Sequence, residues 1–190
     1  MSVSAWKNAT NSTIRGVGIL LSPLARKSLI SIEKIHPRLI IATFNGNPCT
    51  TIISCYSPTN VSDESDATAF YDELSSLIRQ VPKHNVLVIG GDMNAKIGQS
   101  EDHKYAYHQQ TNRNGQYLHN VITENGLSCL NTQFQKKCGK LWTHKYPNGV
   151  KAQLDYMLVN RKWINSVMNC EAYNNFEGVS SDRRIVSTKI

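Results

Sequence analysis

The sequence has no apolar run long enough to span a bilayer and no charged-then-apolar leader, so no membrane association is expected. It also has no C-x-x-C pair, and its five cysteines are an odd number. Neither a disulfide framework nor a cysteine-based zinc site is supported by that pattern. Cys55 and Cys129 lie in apolar runs, where a free cysteine packs as a small hydrophobe. An intracellular, reducing compartment is expected, nuclear or cytoplasmic. Acidic residues are outnumbered, 14 Asp and Glu against 21 Lys and Arg, leaving a net charge of +7. With a pI near 9.2, the chain suits a polyanionic partner such as DNA, with RNA as a second choice. A basic surface that serves only solubility is the plainer alternative. There is no internal repeat, low-complexity tract or linker, so residues 1–190 read as one domain with a polar arm over 1–13. Hydrophobic content of 40% and charged content of 18% argue against intrinsic disorder.

The most informative stretch that is present is Asn85 to Asn94, NVLVIGGDMN. Val86, Leu87, Val88 and Ile89 form an unbroken apolar run that reads as a strand buried on both faces. Gly90 and Gly91 follow, and glycine permits a sharp turn or close backbone approach. Asp92 and Asn94 then emerge at the carboxyl end of a central strand, where open α/β sheets place ligands. A carboxylate and an amide so placed can hold a water and a phosphate oxygen. Both are also ordinary turn residues.

Upstream, Ile14 to Leu21 reads as a strand, and Ser22-Pro23 is expected to break the chain without a helix. Leu29 to Ile35 alternates as a half-buried strand should. Arg38 to Phe44 and Thr50 to Tyr56 flank Asn45-Gly46-Asn47-Pro48, a hairpin signature in which Asn-Gly supplies positive φ. Ala67, Phe70, Leu74, Leu77, Ile78 and Val81 repeat at helical spacing, with Asp63 or Ser65 as cap and Pro82 as stop. Ala95 to Arg113 is a polar loop rich in His and Tyr, long enough to be functional or disordered. A second helix starts at Asn114-Gly115 and ends near Gly126. Strands are expected at Leu127–Asn131, Leu141–His144, Leu154–Val159, Glu171–Tyr173 and Ile185–Ile190, with a short helix over Arg161–Met168. Hairpins mixed with strand–helix–strand units imply two packed sheets with helices outside.

Polar residues recur at the strand exits: Tyr56, Asp92 with Asn94, Thr143, Asp155, and Ser181 with Asp182. Singly, each has a structural explanation as a rim aromatic, a cap or a turn. Their order does not. GVGIL, CYSPTN, GGDMNA, an Asn-Gly helix start, LWTH, QLDYMLV and SSDRRIV follow one another along the chain. That series resembles the endonuclease/exonuclease/phosphatase superfamily, most closely the endonuclease domains of non-long-terminal-repeat retrotransposons. The resemblance runs from about Gly16 to the C-terminus. It implies a four-layered α/β sandwich of two mixed sheets flanked by helices, and hydrolysis of phosphate esters with Mg²⁺ or Mn²⁺. By position, Tyr56 is expected to contact the scissile phosphate, and Asp92 to orient or deprotonate the attacking water. Asn94 is expected to position water and phosphate, Asp155 to orient the family's catalytic histidine, and Asp182 to contribute to the metal site. Asn114, Thr143 and Ser181 are expected substrate contacts.

Two departures set the functional expectation. Where the family motif places histidine after Ser-Asp, this chain has Arg183. Arginine can grip a phosphate or Asp155 but cannot exchange a proton near neutral pH. The family's first strand and metal-binding Glu are also not visible upstream of Gly16, and Met1 to Arg15 contains no Glu. The reading is therefore an N-terminally truncated divalent-metal phosphodiesterase of the retrotransposon DNA endonuclease type, with weakly bound metal and weak or absent activity. A non-catalytic descendant that binds nucleic acid, or a phosphatase on the same fold, is the alternative.

Overall fold

The computed structural model describes residues 2–4, 16–173 and 182–190. In chain order these form β1 (Ser2–Ser4), β2 (Gly18–Leu20), α1 (Pro23–Lys27), β3 (Leu29–His36), β4 (Leu39–Phe44) and β5 (Thr50–Tyr56). There follow α2 (Glu64–Gln80), β6 (Val86–Asp92), α3 (Arg113–Glu124), β7 (Leu127–Cys129), β8 (His144–Lys145) and β9 (Lys151–Ala152). Then come β10 (Asp155–Asn160), β11 (Asn169–Tyr173) and β12 (Ile185–Lys189). No helix among the described residues is long and apolar enough to cross a membrane.

The frame is a six-stranded mixed sheet in the order β3-β4-β5-β6-β10-β7. Only β5 and β6 run parallel, because α2 carries the chain back between them. Strand β5 alternates buried and half-buried along its length, so Thr51, Ile53 and Cys55 point to one face. That face meets Phe70, Leu74 and Ile78 of α2 and Leu118, Val121 and Ile122 of α3 in the largest core cluster. Leu87, Val88 and Ile89 are all buried, as an apolar run in a central strand requires.

The opposite face is covered in two patches. One joins Val159 and Leu130 to Val167 and Cys170, beneath the antiparallel pair β11–β12. The other joins Ile40 to Val17, beside the pair β1–β2. The fold is thus mixed α/β, a multi-strand sheet flanked by helices. A second layer of strands covers that opposite face. Among the described residues it consists of two-stranded ladders of three and five residues per strand.

Three local expectations are corrected. Ser22-Pro23 starts helix α1 instead of breaking the chain: Ser22 Oγ accepts from the Ala25 N–H at 3.1 Å, and proline occupies the first turn. Proline is favoured there because its missing N–H would have no partner anyway. The β4–β5 hairpin forms, but Asn45 and Gly46 do not supply positive φ; the turn contains a cis Asn47–Pro48 peptide instead. The polar loop after Ala95 is packed, with Ile97, Ala106 and His103 buried within it. The polar arm expected over 1–13 contributes β1, and the rest of it lies outside the described residues.

Close approach of β5 and β6 depends on Gly91. A Cβ there would lie 1.8 Å from the Cys55 carbonyl oxygen, so backbone must move, whereas one at Gly139 would meet nothing within 4 Å. Gly91→Ala is expected to lower stability by about 3 kcal/mol and Gly139→Ala to change it by less than about 0.5 kcal/mol. Urea unfolding of the two variants checks this; equal effects would contradict the assigned packing.

Candidate active site

Strand register builds the site. Across the parallel pair Tyr56 lies opposite Asp92, and across the antiparallel pair Asp92 lies opposite Asp155. One phenol and two carboxylates therefore stand in a single row at the carboxyl end of β5 and β6. The C-terminal segment is brought to this row by β8. The Lys145 N–H donates to the Asp182 carbonyl at 2.8 Å, and the Arg184 N–H to the Thr143 carbonyl at 2.8 Å. His144 and Arg183 then face each other as a bridge.

That placement puts the Arg183 guanidinium on both carboxylates. Nη2 lies 2.6 Å from Asp92 Oδ2, and Nη1 lies 2.9 Å from Asp155 Oδ2. The three side chains are 32%, 11% and 22% exposed, so the contact is partly shielded from water. The other oxygen of Asp92 accepts the Asn94 N–H at 2.9 Å. Asn94 adopts positive φ (44°), which asparagine tolerates, and its amide donates to the Ser57 carbonyl. Arg38 lies over the Tyr56 ring at 5.3 Å and donates to the Tyr56 carbonyl.

Asn114 and Thr143, expected as substrate contacts, are fully buried and hydrogen-bonded within the protein. The Asn114 amide donates to the carbonyls of Pro58 and Asn94, stapling two site loops together. Thr143 Oγ1 accepts from the N–H groups of Leu154 and Asp155, fixing the start of β10. Asp182 is 64% exposed at its side chain and approaches His144, with 3.6 Å between Oδ2 and Nδ1. Ser181 lies outside the described residues. His144, the last residue of the LWTH stretch, carries no sequence signal of its own. It is buried, and its Nδ1 lacks a hydrogen-bond partner among the described residues. Burial and the neighbouring Arg183 both push its pKa down, so it is neutral at physiological pH.

A divalent cation needs several oxygen ligands free to converge. Here each Asp92 oxygen already accepts a donor, and Arg183 lies across the pair. Asp182 directs its carboxylate to His144. No cluster of three or more His, Cys, Asp or Glu among the described residues could hold a metal ion. The described residues do not fit a resident cation.

Residues 50–186 match the family model described as endonuclease-reverse transcriptase. The chain belongs to this endonuclease/exonuclease/phosphatase family. Craniofacial development protein 2 of Bos taurus is 32% identical over 162 residues, and that of Tragulus javanicus is 30% identical over 162. These matches take in 82% of the chain but only 27% and 28% of the relatives' lengths. Among solved structures, a Neisseria 3′ phosphatase, NExo, bound to a product DNA hairpin is similar at TM-score 0.63 and 16% identity. That match covers 85% of this chain and 70% of the other. The endonuclease domain of TRAS1, a telomere-specific non-LTR retrotransposon, is similar at TM-score 0.58 and 14% identity, covering 83% and 65%. At these identities the structures share the family fold.

Within this family member the clamp makes a prediction about protonation. Burial raises the Asp155 carboxyl to about 6; Arg183 pulls it down and Asp92 pushes it up. The folded state thus holds this proton more tightly than the unfolded chain, whose value is about 3.9. The resulting stabilisation is complete below about pH 4 and is lost as pH rises through about 6. Removing the cation in Arg183→Gln is expected to raise the Asp155 carboxyl further, above about 6, as followed by carboxyl ¹³C NMR. An unchanged or lower value would contradict the assigned contact.

Proposed function

We propose that this chain is a retrotransposon-type DNA endonuclease domain that keeps the family's nucleic-acid-facing edge but lacks robust divalent-metal phosphodiesterase activity. The supporting observation is the position of Arg183 across Asp92 and Asp155. In-line cleavage of a phosphodiester requires an activated water and neutralised charge. Arg183 supplies charge but exchanges no proton near neutral pH. It also engages the carboxylate oxygens that would otherwise orient water. The same contact favours binding over cleavage. Two unopposed carboxylates would repel a phosphate, and the guanidinium removes one of those two negative charges.

One neighbour with this fold is a 3′ phosphatase bound to a product DNA hairpin, another is a retrotransposon endonuclease domain, and the net charge of +7 suits a polyanion of that kind. Tyr56 and Asn94 are then groups that contact phosphate, while Asn114 and Thr143 position the loops that carry them. An active endonuclease is the second reading, favoured by the row of Tyr56, Asp92 and Asp155.

Supercoiled-plasmid nicking with Mg²⁺ or Mn²⁺ separates the two readings. The wild-type chain is expected to leave the plasmid intact while binding duplex DNA. Its affinity should fall by about tenfold or more as salt rises from about 50 to about 200 mM. Metal-dependent nicking that disappears in Asp92→Ala would establish the active endonuclease instead. Absent or salt-independent DNA binding would remove the binding reading.

A further inference from the structure

A second site lies at the other end of the sheet. Strand β6 spans Val86 to Asp92, so its start is separated from the carboxylate row by about 20 Å of extended chain. There a cavity of about 570 Å³ opens between the ends of α2, α3 and β10. Four cations, Arg79, Lys83, Arg161 and Lys162, surround it with one carboxylate, Glu124. Among the described residues, none of the four belongs to an ion pair. Arg79 donates to Ser75 Oγ at 3.0 Å, and the Lys162 ammonium stands 5.2 Å from the Trp163 ring centre.

A purely structural role accounts for part of this charge. Arg79 lies in the last turn of α2, where a cation complements the exposed carbonyls. Lys83, Arg161 and Lys162 lie outside both helices and have no such role. The charge around the cavity is strongly positive, at the end of β6 opposite the carboxylate row.

The floor identifies the ligand class. It is aliphatic, formed by Ile78, Val81, Leu87 and Leu127, with Pro82 at one side. No aromatic side chain lines it, so it offers no stacking platform for the bases of a single strand. An aliphatic floor ringed by cations complements a bulky apolar side chain flanked by carboxylates. We propose that this cavity docks an acidic peptide segment, with one aliphatic residue in the floor and carboxylates on Lys83, Arg161 and Lys162.

The test uses the full chain and a fluorescein-labelled peptide in which one leucine is flanked on each side by glutamates. Anisotropy should show saturable binding, with perturbed amide signals at Gly126, Leu127 and Asn160 in ¹⁵N NMR. Lys83→Glu and Arg161→Glu should each weaken binding by about fivefold or more, and Lys151→Glu, an equal charge change on the distant hairpin, by less than about twofold. Replacing the peptide's glutamates by glutamines, or its leucine by glycine, should also weaken it. Equal loss with Lys151→Glu, indifference to the leucine, or displacement by a thymidine oligonucleotide would show a general polyanion effect and overturn the proposal. If a variant fails to fold, the wild-type NMR map decides: perturbations away from the cavity overturn it too.

Discussion

Two carboxylates facing each other on adjacent strands repel, and one guanidinium resolves that repulsion at the edge of this sheet. The β6–β10 register leaves no alternative, because it places Asp92 directly opposite Asp155. Like charges so paired destabilise a sheet unless a cation joins them. Arg183 does so with short contacts to both, delivered by a C-terminal segment that β8 holds through backbone hydrogen bonds. Breaking one member of such a partly buried set leaves a charge without its partner, which costs more than the intact set contributes.

The rest of the edge is built to keep those groups in place. Ser57 donates to the Met93 carbonyl, Tyr71 donates to the same oxygen, and Asn94 ties the Asp92 carboxylate to the Ser57 carbonyl. Asn114 closes the arrangement from the start of α3. Most of these bonds run from buried or half-buried side chains to backbone carbonyls, which holds the site's loops in place while its charge balance rests on Arg183.

Much of this was legible in the chain. Strand β5 runs from Thr50 to Tyr56 as the hairpin signature before it predicts, and α2 ends before Pro82 as expected. Asp92 and Asp155 could be marked as special because each places an acid at the end of an apolar strand, and Arg183 because it departs from a family motif. What was not legible depended on long-range pairing or on cap chemistry. Ser22-Pro23 carries the same letters whether proline ends an element or opens a helix, and only the Ala25 N–H decides. Asn114 looks like a surface contact in sequence, yet its amide is consumed by two loops distant in the chain. His144 gave no periodic signal; its proximity to Asp182 arises from a bridge between segments almost forty residues apart.

On the proposed reading, the Arg183 guanidinium takes the place beside Asp92 and Asp155 to which a divalent cation would be drawn. Paramagnetic broadening by Mn²⁺ tests it most directly. With the wild-type protein, the signals of Asp92 and Asp155 should be no more affected than those of surface carboxylates, whereas in Arg183→Ala they should broaden selectively. Selective broadening of both residues in the wild type would contradict the account.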